Sequence, residues 1–130
     1  MTEFAARLAE LDASDQDFLA GLLFARGKVY IGRTARGSSF RYSPSLSLEL
    51  PLSLPPRLAA VFDGPYERRY YAHPVLRYVL QDTAKIATVL QSLTAAMPAS
   101  QALRMETMIA FCRSTSETDR ARLYEEFNAS

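Results

Sequence analysis

Alternation with period two is clearest from Phe40 to Leu50. There Phe40, Tyr42, Pro44, Leu46, Leu48 and Leu50 interleave with Arg41, Ser43, Ser45, Ser47 and Glu49. This predicts a strand with one buried and one wet face. Just before it, Lys28-Val29-Tyr30-Ile31-Gly32-Arg33-Thr34 is β-branched and aromatic, and Arg36-Gly37-Ser38-Ser39 reads as the connecting turn. Residues 66–71 and 75–81 predict a second hairpin around Ala72-His73-Pro74, with His73 in the turn.

Helical signals separate these hairpins. Residues 1–13 read as a short helical lead-in rich in Ala, Leu and Glu. Ser14-Asp15-Gln16-Asp17 offers a cap and first-turn acids, followed by the apolar run Phe18–Ala25, which stops at Arg26-Gly27. Pro55-Pro56 and Gly64 bracket a short helix with Leu58, Val61 and Phe62 inward. Ile86, Val89, Leu90, Leu93 and Met97 follow helical spacing up to Pro98; Met105, Met108, Ile109 and Cys112 form a second stripe. A last helix, about 116–128, carries Leu123, Tyr124 and Phe127. Paired strands separated by helices predict an α+β fold of order αββαββα, with an antiparallel four-stranded sheet and extra C-terminal helices.

The run Phe18–Ala25 has no polar face, so it is expected to be buried all round. A small sheet covers only one side of such a helix. Gly21 in its middle costs about 1 kcal/mol relative to alanine, which suggests a packing reason. Gly21 and Ala25 lie one turn apart, where another backbone can approach. We expect a helix-to-helix homodimer seam made by Phe18, Leu19, Gly21, Leu22 and Ala25, the other reading being a central core helix.

Leu19-Ala20-Gly21-Leu22-Leu23-Phe24-Ala25-Arg26-Gly27 resembles the nine-residue motif that names the LAGLIDADG homing endonucleases, matching six of its nine letters in register. Residues 40–48 resemble that family's second strand, and 93–111, with Pro98 between two helices, its closing helices. The resemblance covers about residues 14–113. It implies a protein with one motif per chain, forming half of a symmetric dimer. Two motif helices would pack on the two-fold axis, and two sheets would form a saddle over the DNA major groove.

The resemblance also implies chemistry that this sequence lacks. In the family the acid at the eighth motif position ligates the divalent metals that activate water and stabilise the leaving oxygen. Here that position is Arg26, and the sixth position, usually acidic, is Phe24. The glutamine often found after the second strand is matched by Leu50, with Glu49 beside it. The lysine early in the closing helices is replaced by Pro98-Ala99-Ser100. The sequence therefore predicts no catalytic residues, no metal and no cofactor. Glu49 reads as a solvated strand residue, and Cys112 as a small buried hydrophobe. The single His73 has no constellation for nucleophilic catalysis.

At 130 residues, 48% hydrophobic, the chain reads as one domain, residues 1–130, and not as a disordered one. One cysteine fits a reducing compartment, cytoplasmic or an organellar matrix, and no apolar run is long enough to span a membrane. The net charge of +1 argues against a nucleic-acid partner until it is divided along the chain. Residues 26–77 hold nine basic and three acidic side chains, a net of +6; the rest holds six and eleven, a net of −5. That is a basic strand region with acidic helices behind it.

The candidate nucleic-acid contacts are Lys28, Tyr30, Arg33, Arg36, Arg41, Ser43, Ser45, Ser47, Arg68, Arg69, Tyr71 and Arg77. The leading expectation is a non-catalytic descendant of the family that binds double-stranded DNA as a homodimer. The alternative is an interaction subunit of a ribonucleoprotein, with RNA contact by analogy to maturase relatives. An active metal-dependent endonuclease stands third.

Overall fold

The computed structural model describes residues 3–70 and 73–129. In chain order the elements are α1 (Glu3–Ala9), α2 (Ala13–Arg26), β1 (Gly27–Arg36), β2 (Ser39–Leu50), α3 (Pro56–Ala59), β3 (Asp63–Tyr70), β4 (His73–Leu80), α4 (Thr83–Leu93), a 3₁₀ turn (Thr94–Ala96), α5 (Ala99–Arg113) and α6 (Glu117–Ala129). The strands form one antiparallel sheet in the order β1-β2-β4-β3. The predicted order is therefore present, with α1 before it and α5 and α6 after it. Among the described residues no helix is long and apolar enough to cross a membrane.

Register explains the buried face. Val29 pairs with Leu46 and Ile31 with Pro44, while Leu46, Leu48 and Leu50 meet Leu80, Tyr78 and Leu76 across the β2–β4 ladder. Leu46, Leu48, Tyr78 and Leu80 are fully buried beneath α2 and α4, each apolar side chain contributing about 1.5–3 kcal/mol. Tyr78 keeps its hydroxyl satisfied by accepting a hydrogen bond from the Leu54 N–H at 3.0 Å. The stripe Met105, Met108, Ile109 and Cys112 is buried where α5 packs on α4. Burial pushes the Cys112 thiol up to about 11, so it stays protonated near neutral pH. Tyr42 joins three elements, its ring 5.5 Å from Phe111 of α5 and 5.4 Å from Tyr124 of α6.

Several local expectations need correction. The cap of α2 is Asp12, not the Ser14 segment, because Asp12 holds the extended backbone a cap requires. Its carboxylate accepts the Asp15 N–H at 2.8 Å, and Asp15 accepts the Asp12 N–H in return. The Arg57 fork then closes on the buried Asp15 carboxylate at 2.6 to 3.0 Å and holds it below its ordinary value. Gly27 does end α2, but with an extended backbone instead of a left-handed one. Glycine is needed there because a Cβ would lie 2.5 Å from the Leu23 carbonyl oxygen. His73 is the first residue of β4, opposite Tyr70, and not a turn residue. Phe40, expected inward, is 48% exposed near the turn end of the β1–β2 ribbon, with the Arg33 guanidinium against its ring.

Within the chain α2 is not buried all round. Leu19, Ala20 and Leu23 face the core, whereas Phe18 and Phe24 are 52% and 56% exposed, with Gly21 and Ala25 also exposed. Leu19 therefore drops out of the expected seam: fully buried among its own chain's side chains, it has no surface to offer a second copy.

Candidate nucleic-acid interface

The face of the sheet turned away from the helices carries the alternate residues of each strand. On β1 these are Lys28, Tyr30, Gly32, Thr34 and Arg36, and on β2 Arg41, Ser43, Ser45, Ser47 and Glu49, which the register sets opposite one another as Lys28–Ser47, Tyr30–Ser45, Gly32–Ser43 and Thr34–Arg41. Arg77 of β4 lies opposite Glu49, and on β3 Tyr66 pairs with Arg77 and Arg68 with Val75. Lys28, Tyr30, Arg36, Arg41, Ser43, Ser45, Arg68 and Arg77 are thus brought onto one surface.

Its electrostatics are basic but partly compensated. Five cations (Lys28, Arg36, Arg41, Arg68 and Arg77) stand against Glu49 and Asp63, a net of +3. Arg68 reaches the Glu49 carboxylate at 3.4 Å. The cations are spread over all four strands, where they suit phosphates, and the serines that alternate along β2 suit either phosphate oxygens or base edges.

Three predicted contacts, Arg33, Arg69 and Ser47, do not join this surface as expected. Arg33 shares the helix side of β1 with Val29 and Ile31. Its guanidinium lies 4.4 Å from the Phe40 ring and 4.6 Å from the Tyr124 ring, and 3.4 Å from the Glu125 carboxylate. It fastens α6 to the sheet. Arg69 alternates with Arg68 and so faces the helix side of the edge strand, where it pairs with Glu67 at 3.2 Å. Ser47 is on the open face but only 8% exposed, set in the ladder between Lys28 and Val79. Tyr71 lies outside the described residues. Arg57, counted with the basic segment, sits on α3 and is held by Asp15.

Sequence reasoning also missed Gln81 and Thr83. They follow β4 and help to line a cleft of about 520 Å³ with Tyr30, Ser43 and Ser45. Nothing in their spacing signals this, because the cleft forms only where β4 stops pairing and β2 continues.

No family profile matches the sequence, and a comparison with curated proteins finds no similar one. Solved structures do match. A group I intron-encoded homing endonuclease, I-CeuI, complexed with DNA, superposes with a TM-score of 0.62 at 13% identity, over 96% of this chain and 76% of that one. The homing endonuclease I-CvuI, in complex with the I-CreI target, gives 0.61 at 12%, over 88% and 75%. The LAGLIDADG homing endonuclease I-GzeII, in complex with its DNA target, gives 0.56 at 11%, over 86% of this chain and 42% of that longer one. The chain has the homing endonuclease fold. At these identities the likeness carries the architecture alone.

The run that resembles the LAGLIDADG motif lies on α2, and its eighth position is Arg26, exposed at the helix's C-terminal end. A guanidinium has five donors and no lone pair, so it cannot ligate a divalent cation. Phe24, at the sixth position, brings no oxygen either. The residues present do not fit the metal of a homing endonuclease. Among the described residues no three His, Cys, Asp or Glu side chains gather as a metal site.

Proposed function

We propose that this chain is a homing-endonuclease-fold protein that holds duplex DNA on the open face of its sheet, as a homodimer, without cutting it. The observation that carries the reading is the pairing of two features. The saddle face of the fold keeps Lys28, Arg36, Arg41, Arg68 and Arg77 on one surface, while the motif position that would hold a metal is a cation.

Dimerisation is supported by the exposed apolar face of α2. Phe18, Gly21, Leu22 and Ala25 recur at helical spacing, and a Cβ built on Gly21 meets nothing within 4 Å. A second α2 crossing there buries Phe18 and brings the backbones close. A two-fold pair also places two basic sheets side by side, which doubles the phosphate contacts.

Phosphodiester hydrolysis in this fold would need hard cations held by oxygen ligands, and two Arg26 guanidinium groups near the seam oppose them. Supercoiled plasmid incubated with excess protein and Mg²⁺ is therefore expected to be retarded on a gel and recovered intact after protein removal. Nicked circles that accumulate with protein concentration and vanish with chelator would overturn the non-catalytic reading.

A further inference from the structure

The pairing of β2 with β4 ends at Leu46–Leu80, while β2 continues back to Ser39. Beyond that point the sheet is only two strands wide. The chain leaving β4 places Gln81 and Thr83 as a wall facing the β1–β2 ribbon, and the recess between them has a volume of about 520 Å³. That lies within the range of about 300–1,000 Å³ typical of sites for small organic groups.

The lining is chemically specific. Tyr30 is 53% exposed. Its Cε1 lies 3.5 Å from where a Cβ of Gly32 would sit, so the ring leans along the strand over the glycine. The Nζ of Lys28 is 5.4 Å from the ring centroid. Ser43, Ser45, Thr83 and Gln81, residues with neutral hydrogen-bonding side chains, line the recess with Tyr30. Arg41 is the single cation in the lining. Phosphate alone does not call for this combination. An aromatic face, an amide with both donor and acceptor, hydroxyls and one guanidinium are the complement of one nucleotide: base face, base edge and phosphate.

We propose that this recess takes a single unstacked nucleobase of a DNA strand held on the saddle. Tyr30 is its stacking platform, Gln81 the reader of its edge and Arg41 the partner of its phosphate. The inference rests on the duplex-binding reading above and adds a preference to it. A fully paired duplex presents base edges but no free ring face, because each base is stacked on its neighbours; an unpaired base supplies one.

The test compares two duplexes of one sequence, one fully paired and one with a single unpaired adenine, in equilibrium binding followed by fluorescence anisotropy. The bulged duplex is expected to bind the native protein more tightly by roughly 5- to 150-fold, the size of one base–aromatic stack. Tyr30→Ala brings the ratio close to one, whatever it does to absolute affinity, and Tyr30→Phe keeps the ratio, because stacking uses the ring and not the hydroxyl. Equal binding of both duplexes by the native protein overturns the recess and leaves the saddle reading intact. A preference that survives Tyr30→Ala also overturns it, assigning the effect to the easier bending of bulged DNA. Binding to neither duplex overturns the saddle reading and the recess together.

Discussion

Reversing two charges on the open face, Lys28→Glu with Arg41→Glu, lowers affinity for duplex DNA by at least ~100-fold at physiological salt. Both side chains are exposed on the outward row of the β1–β2 ribbon, so the substitutions leave the core untouched. In a homodimer they turn four cations into anions. Each lost phosphate contact removes about 0.9 from the slope of log K against log salt, so the slope becomes shallower by about 3 to 4. The control is a reversal of equal size elsewhere, Arg69→Glu with Arg122→Glu. Arg69 is on the helix side of β3 and Arg122 on α6. If position on the sheet matters, the control keeps most of the affinity. Equal losses in the two variants, measured by anisotropy over a salt series, would mean that only total charge counts and would remove the assignment of the face.

Gly21→Glu is the second large effect, and its strength as a test comes from what it leaves alone. Nothing lies within 4 Å of a Cβ built at Gly21, so a side chain there fits the single chain. Replacing a mid-helix glycine with glutamate also favours the helix by roughly 0.5–1 kcal/mol. The folded protomer is thus expected to keep its circular dichroism and its thermal midpoint, or to gain slightly. Between two copies the same side chain puts two carboxylates into an apolar contact beside Phe18 and Ala25. The expected result is a protein of half the native mass in light scattering. Its affinity for a two-fold symmetric site drops by about 10²- to 10⁴-fold, the advantage of holding two half-sites at once. A native protein that is already a monomer, or a variant with unchanged dimer mass, rules out the α2 seam.

Much of this fold was legible because its signals are periodic. Phe40–Leu50 and the stripe of α5 repeat at spacings set by strand and helix geometry, and, Phe40 apart, the structure buries their inward positions in whole or in part. The candidate face was only partly legible. Counting parity from Ile31, buried at 1% exposure, puts Arg33 on the helix side, and the same count separates Arg68 from Arg69. That signal was in the sequence, but a sum of charges over residues 26–77 passes over it. Other features lie outside any local pattern. The Arg57–Asp15 pair joins residues 42 apart, and Arg33 meets Glu125 across 92. Whether a basic residue faces a phosphate or a carboxylate of its own chain is decided by packing, which spacing does not record. The exposed side of α2 is a different case. The all-apolar run correctly signals a helix short of polar surface, but it does not say which residues its own core takes. The core took Leu19, Ala20 and Leu23 and left Phe18, Gly21, Phe24 and Ala25.

The most direct measurement is equilibrium binding of the native protein to a duplex pool as salt is raised. A basic saddle that grips phosphates predicts binding at low salt that weakens steeply, with a slope of log K against log salt of about −5 to −9 for a dimer presenting five cations per copy, some held by its own carboxylates. Absence of binding even at the lowest salt, or binding that does not respond to salt, contradicts the account.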